Sequence, residues 1–114
     1  MATVSPALAQ VENGPVQSVT WTDMATGDTV EAVQLSRQSA LAASIQFSGT
    51  FGGATVGLSA SNDGTNYIAL KDTSGAAISA TAAAMFEVST GALYVKPTIS
   101  GGASDAVDAV LVLR

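Results

Sequence analysis

The chain of 114 residues contains no cysteine and no histidine. Without cysteine, no disulfide stabilises the fold and no thiolate acts as a nucleophile or a metal ligand. Without histidine, the chain lacks the side chain that most often serves as a general base near neutral pH and as a zinc ligand. These absences exclude cysteine- and histidine-dependent catalysis. We therefore predict a protein that is not an enzyme, with no catalytic residue, no metal and no cofactor.

Basic side chains are also scarce, since four Lys and Arg stand against nine Asp and Glu and give a net charge of −5. The four are scattered along the chain, at Arg37, Lys71, Lys96 and Arg114. Binding to duplex nucleic acid needs clustered bases, so no nucleic-acid partner is predicted. No apolar run approaches the roughly 20 residues of a membrane span, and no secretory signal pattern opens the chain. We expect no membrane partner and no export.

Large side chains are few, because only 5% of the residues are aromatic, whereas Ala, Gly, Ser and Thr make up half of the chain. A chain of this length forms one domain. Small side chains bury little area each, and burial contributes about 25 cal/mol per Å² of apolar surface. The composition therefore predicts a thin core that neighbouring molecules complete, in a homo-oligomer (dimer or trimer) or in a larger assembly.

What the chain does contain is period-two alternation of apolar residues, which indicates strands with one buried face. Residues 44–70 hold three such runs, separated by glycine turns at Gly52-Gly53 and Asp63-Gly64. These runs predict a β-meander. The fold class that we predict is all-β: a single small β-sandwich, jelly-roll or immunoglobulin-like, with an extended N-terminal arm.

Further strands are predicted over residues 16–22, 29–35, 85–89, 93–99 and 105–113, with a turn at 26–28 and a short connection at 80–85. Residues 37–43 are interpreted as a loop or a strand extension. Pro97 interrupts its strand and lacks the N–H that a central ladder needs, so this strand is expected at an edge or at a bulge.

The first 15 residues are interpreted as the extended arm, and residues 16–114 as the sandwich domain. Pro6 and Gly14-Pro15 break any regular element there. Leu8 and Val11 are apolar enough to be buried, which fits an arm laid across a partner, although a mobile terminus is an equal alternative. Leu8 and Val11 are therefore candidate interface residues.

The last strand is apolar on both faces, at Val110, Leu111, Val112 and Leu113. A strand with two apolar faces is expected in the middle of a sheet covered on both sides, or at a subunit interface. Both interpretations stay open, and these four residues complete the set of candidate interface residues.

The motif Asn62-Asp63-Gly64 is predicted to form a turn in which the Asn and Asp side chains bond the local backbone. A calcium site that includes Asp72 is the alternative. Trp21 and Tyr67 are interpreted as sheet or core aromatics, and an exposed ring would instead offer a platform for a sugar.

A glycosidase needs two carboxylates at a defined separation across a cleft. Glu31 and Glu87 are the acids that such a pair would use, but nothing in the sequence brings them together.

The series GTFGGATVGLSASNDGTNYIALKD, followed by LYVKPTISGG and a valine-rich end, resembles a pattern found in small virion proteins of tailed phages. In that pattern a tryptophan is common where Tyr67 stands, and an arginine where Lys96 stands. The resemblance covers residues 44–114 and is to proteins that decorate or cement the capsid.

The resemblance implies that the chain binds the major capsid protein and its own copies on the outer capsid surface, and stabilises joints between capsid subunits. Two alternatives stay open. One is a tail or head-fibre module that contacts host carbohydrate through exposed aromatics, and the other is a structural component of the tail or neck.

Overall fold

The computed structural model describes residues 3–10, 17–34, 43–89 and 92–113. Within these ranges the chain forms twelve strands and no helix, and hence no helix that is long enough to cross a bilayer. In chain order the strands are β1 Thr3–Val4, β2 Ala7–Gln10, β3 Gln17–Met24, β4 Thr29–Val30, β5 Val33–Gln34, β6 Ala43–Thr50, β7 Thr55–Ser61, β8 Ile68–Ala69, β9 Ser79–Ala80, β10 Ala84–Val88, β11 Tyr94–Ser100 and β12 Ala106–Leu113.

The larger sheet has five antiparallel strands in the order β10-β6-β12-β3-β2. The second sheet has the order β5-β11-β7-β8, with β9 also paired to β7. A short parallel pair of β1 and β4 lies beside them. The two sheets form a small β-sandwich, which confirms the predicted all-β fold class.

The core lies between the two sheets. The larger sheet contributes the biggest side chains, including Trp21, Phe47 and Leu111, and the second sheet contributes Leu58 and a row of valines. Phe47 meets Phe86 edge to face with ring centroids 6.3 Å apart. Trp21 is fully buried, and its Nε1 donates a hydrogen bond of 2.7 Å to the carbonyl oxygen of Glu31. This bond ties β3 to the segment that joins β4 and β5.

The last strand is central in its sheet, which is one of the two interpretations that its apolar faces left open, and the core covers one of those faces. β12 pairs with β6 on one side and with β3 on the other. Its inward residues Val107, Ala109 and Leu111 are buried in the core, whereas Val110 and Val112 face outward and are half-buried.

The predicted meander is wrong at its first connection. β6 and β7 do not pair; β6 belongs to the larger sheet and β7 to the second sheet, and only β7 and β8 form an antiparallel pair. The chain crosses between the sheets at residues 51–54, where Gly52 and Gly53 have φ of 56° and 86°. Apolar alternation is the same whether two strands form a hairpin or face each other across a core, so the sequence pattern did not distinguish the two.

Other strand predictions hold with adjusted boundaries. The expected strand at 29–35 is divided into β4 and β5 by Glu31 and Ala32. Pro97 stands where predicted, because β5 covers β11 only at Tyr94 and Val95 and leaves that side of the strand without a ladder at Pro97. The segment 37–42 lies outside the described residues.

The N-terminal segment contributes to the fold of its own chain. Val4 in β1 is 7% exposed and belongs to the core, and β2 pairs with β3 over Ala7–Gln10. The described part of the arm is thus extended, as expected, but it is bonded to the sandwich as an edge strand. The predicted boundary between residues 15 and 16 lies outside the described residues.

The opposite edge strand of the larger sheet is partly covered. The backbone N–H of Thr73, in the turn after β8, donates a hydrogen bond of 3.0 Å to the carbonyl oxygen of Glu87 in β10. Part of the outer rim of β10 is therefore bonded within the molecule and is not open to another strand.

The crossing between the sheets gives a matched pair of glycine substitutions. A Cβ on Gly52 would collide with the carbonyl oxygen of Ala103, whereas nothing lies within 4 Å of a Cβ on Gly53. Because both have positive φ, Gly53→Ala should cost about 1–2 kcal/mol, and Gly52→Ala about 3–5 kcal/mol because it adds the collision. Urea denaturation of both variants measures the difference, and equal losses would contradict the crossing described here.

Candidate functional site

The outward side of the larger sheet is a broad surface of small side chains, which we call the five-stranded face. The strand registers align its residues in rows across the sheet. One row is Met85, Gln46, Val110, Thr20 and Ala7, and the next row is Glu87, Ser44, Val112, Ser18 and Ala9.

The five-stranded face carries little charge. Among its described residues there is no Lys or Arg, and the carboxylates are Glu87, on the edge strand, and Asp23 and Asp108 at one end of the sheet. Asp108 Oδ1 accepts a hydrogen bond of 2.9 Å from the backbone N–H of Asp23. Short Ala, Ser and Thr side chains let another surface approach the sheet closely, and uncharged groups cost less to remove from water than charged groups do. The face is therefore suited to flat contact with another protein.

The structure separates the candidate interface residues into three groups. Val110 and Val112 lie on the five-stranded face, and Leu8 on β2 is 56% exposed. Leu111 is 1% exposed and points into the core, so its assignment to an interface is corrected: its side chain is already buried against its own chain. Val11 and the side chain of Leu113 lie outside the described residues.

The motif Asn62-Asp63-Gly64 builds the turn after β7. Asp63 Oδ1 accepts hydrogen bonds from the Ser61 hydroxyl and from the backbone N–H groups of Thr65 and Asn66, each at 2.8 Å. The side-chain amide of Asn66 donates to Asp63 Oδ2 at 2.9 Å. Gly64 takes the positive φ of 78° that the turn needs.

These hydrogen bonds set the chemistry of Asp63. The backbone N–H of Asn66, followed by that of Thr65 and by the Asn66 and Ser61 side chains, holds the pKa of this carboxyl well below its usual range. A cation at this carboxylate would have to displace donors that already occupy both oxygens. Asn62 is also engaged, since its Oδ1 accepts a hydrogen bond of 3.2 Å from the backbone N–H of Leu93.

Asp72, the third residue of the calcium interpretation, organises its own turn. Its Oδ1 accepts hydrogen bonds from the backbone N–H and hydroxyl of Ser74 and from the backbone N–H of Ala76. The Ser74 hydroxyl is the main cause that lowers the pKa of Asp72. Within the described ranges, no group of three or more acidic side chains is arranged to hold a metal ion.

The two candidate aromatics have different environments. Trp21 is fully buried, so its ring is not available to a ligand. Tyr67 is half-buried at the surface, and the Nζ of Lys96 lies 4.3 Å from the centroid of its ring. Lys96 projects from the outward side of β11, because its neighbours Val95 and Pro97 point into the core. This contact between Tyr67 and Lys96 was not predicted from the sequence.

The two glutamates considered as a glycosidase pair are not brought together. Glu31 lies beside β1, where its carboxylate accepts a hydrogen bond of 2.6 Å from the Ser5 hydroxyl, and its carbonyl is bonded to Trp21 of β3. Glu87 is on β10, three strands away from β3 in the larger sheet. Glu31 lies just before β5 and Glu87 is bonded to the turn after β8, and β5 and β8 are opposite edges of the second sheet.

No known protein family and no curated protein sequence matches the chain. Among solved structures, the chain is similar to the SPBc2 prophage-derived protein YomS, with a TM-score of 0.56 and 12% identity over 91% of this chain and 100% of that one. Protein NMB1881 from Neisseria meningitidis gives a TM-score of 0.41 at 7% identity, covering 96% of this chain and 83% of that one. A carbohydrate-binding module of Cellvibrio mixtus lichenase 5A gives 0.33 at 14% identity, covering 97% and 86%. At these identities the likeness to YomS concerns the fold alone.

The Asp63 turn predicts a particular response to acid. Because the pKa of Asp63 is lowered in the folded protein, its contribution to stability is fully present above the ordinary Asp value of 3.8 and is lost as pH falls through the lower folded value. Carbon-detected NMR should find the carboxyl of Asp63 titrating below pH 3.8, with the Thr65 and Asn66 amide signals shifting in the same range. Asp63→Asn should remove this transition. A midpoint at or above 3.8 would contradict the hydrogen-bonded turn.

Neighbouring residues of β12 test the assignment of core and face. Leu111→Ala should destabilise the protein by about 2–5 kcal/mol, because it opens a cavity in the core. Val112→Ala, on the half-buried outward face, should cost about 1 kcal/mol or less. Urea denaturation of the two variants provides the comparison, and a larger loss for Val112→Ala would reverse the assignment.

Proposed function

We propose that this chain is a structural protein of a phage particle, of the capsid decoration or cement type, and that it docks through the five-stranded face. In this proposal its partners are the major capsid protein and further copies of the chain, on the outer capsid surface. It acts by adding buried contact across joints between capsid subunits, and it is not an enzyme. The observation that carries the proposal is the broad surface of small, nearly uncharged side chains on the larger sheet.

The dimensions of that face agree with such a role. The 33 residues in its five strands, each covering about 3.3 by 4.8 Å, give a surface of roughly 500 Å². A stable interface buries about 800 Å² on each partner. One face alone therefore gives a modest contact, and firm attachment draws on contacts with adjacent copies in a lattice, which is how repeated weak contacts gain avidity.

Two further observations support the proposal. The series in residues 44–114 that resembles a phage virion pattern belongs to a β-sandwich, and a prophage-derived protein has a similar fold. The net charge of −5 favours a position outside the shell rather than against packaged nucleic acid.

One alternative is a fibre module that stacks sugars on the exposed rings of Trp21 or Tyr67. Trp21 does not fit this role, since it is buried. The tail or neck alternative predicts rings of the isolated protein. The decoration proposal instead predicts that copies are spread regularly over the head in electron cryo-microscopy of the virion.

A charge placed on the five-stranded face tests the proposal. Gln46 is exposed in the middle of one row of this face, and Thr98 is exposed on the outward side of β11 in the other sheet. Gln46→Arg should reduce the number of copies bound to phage heads at least about tenfold, because the long charged side chain must lose water at a flat apolar contact. Thr98→Arg, the matched control, should bind like the unaltered protein.

The measurement uses purified heads that lack this chain, redecorated with each variant and counted by gel densitometry, with urea midpoints to verify folding. Equal occupancy by Gln46→Arg and the unaltered protein would reject docking through this face. Density confined to the tail or to fibre tips in the micrographs would reject the decoration role itself.

A further inference from the structure

The side of the sandwich opposite the five-stranded face carries a small cationic and aromatic surface, the Tyr67 patch, formed by Tyr67, Tyr94 and Lys96. Tyr94 and Lys96 are alternate residues of β11 and share its outward side, and the Nζ of Lys96 lies over the Tyr67 ring. Lys96 is paired in register with Ser59 of β7, and Tyr94 with Ser61. The side chain of Lys96 therefore crosses β7 to reach Tyr67. The serines of β7 that pair with this strand, Ser59 and Ser61, are only 8% and 4% exposed.

The patch is held in place by the Asp63 turn. The Ser61 hydroxyl donates to Asp63 and accepts from the backbone N–H of Gly64 at 2.9 Å. Gly64 lies against Tyr94, since a Cβ at this position would be 3.3 Å from Cε2 of that ring. The turn, the serines and both tyrosines thus form one connected structure. Because these residues are already held in place, little conformational entropy remains to be lost when a ligand binds.

The ammonium group of Lys96 is the group of this patch that can bind an anion. Within the described ranges, Lys71 and Lys96 are the basic side chains. The ammonium group of Lys96 contacts the Tyr67 ring. The nearby carboxylate of Asp63 is used by the donors of its own turn. An ammonium group has three N–H donors, and a ring face does not engage all of them, so Lys96 can still bind an anion.

The surroundings favour a sugar over a peptide. Strand β11 is paired at Tyr94 with both β5 and β7, so no main-chain groups are open there for an extended peptide. Recognition along β11 must therefore come from side chains. The tyrosine rings match the apolar ring face of a saccharide, and the ammonium group matches an acidic group on it.

We propose that the Tyr67 patch binds an acidic saccharide, with a uronic acid carboxylate on the Lys96 ammonium and the sugar ring against the tyrosines. The site goes beyond the docking proposed above. It lies on the opposite sheet and does not depend on that proposal, because it is a property of the isolated chain.

The test is calorimetric titration of the isolated protein with a galacturonate oligosaccharide, and with the same oligosaccharide after methyl esterification. The ester has the same rings and hydroxyls but no carboxylate. We expect binding of the acid form, weakened by added salt, and a loss of about tenfold or more with the ester, because a charge-assisted contact is removed. Equal affinity for the two forms, or no binding of the acid form, overturns the proposal.

Two lysine substitutions locate the site. Lys96→Met should weaken binding of the acid form about as much as esterification does. Lys71→Met makes the same change of charge at an exposed residue outside the patch and should leave binding unchanged. Equal effects of the two variants would indicate a general charge effect and overturn the assignment. If Lys96→Met does not fold, the ester comparison on the unaltered chain still decides.

Two further measurements test the role of the Tyr67 ring and distinguish a saccharide from an acidic peptide. Tyr67→Leu should weaken binding of the acid form, since it removes the ring that supports both the lysine and the sugar. Polyglutamate should bind much more weakly than the oligosaccharide, and equal binding would replace the saccharide with an acidic peptide and overturn the proposal as stated.

Discussion

The structure depends on one constraint, the crossing of the chain between the two sheets at residues 51–54. Ala54 is fully buried there, its backbone N–H donates to the Phe51 carbonyl at 2.8 Å, and the carbonyl of Gly52 accepts from Ala103 at 3.1 Å. These bonds place β6 in one sheet and β7 in the other, so that Phe47 and Leu58 meet across the core. The five-stranded face and the Tyr67 patch are consequently outward surfaces on opposite sides of a single thin sandwich.

Most strands could be predicted, because alternation of apolar and polar residues has a direct physical cause in the two sides of a strand. The central place of β12 was one of the two positions that its apolar faces allowed, and the edge character of β11 at Pro97 followed from the missing N–H. Strand partners could not be predicted in the same way. Pairing depends on contacts between distant residues, and a glycine turn permits either a hairpin or a crossing. The division at Glu31 was missed because its carbonyl binds Trp21 from another sheet.

The candidate sites differ in how far apart in the sequence their contacting residues lie. The Asp63 turn was predictable since its hydrogen bonds join residues at most three positions apart, from Ser61 to Asn66. The five-stranded face was only partly anticipated, through Val110 and Val112, because its Ser, Thr, Ala and Gln residues give no apolar signal in the sequence. The contact of Lys96 with Tyr67 joins β11 to the residue before β8, across the intervening β7, and no spacing rule connects them.

The partly covered rim of β10 bears on how this sheet could pair with a strand of another molecule. A sheet whose outermost strand is free can recruit identical strands without limit. The bond from Thr73 to Glu87 occupies an acceptor on that rim. An approaching strand finds this main-chain group already bonded, so the register that would use it is excluded at this edge.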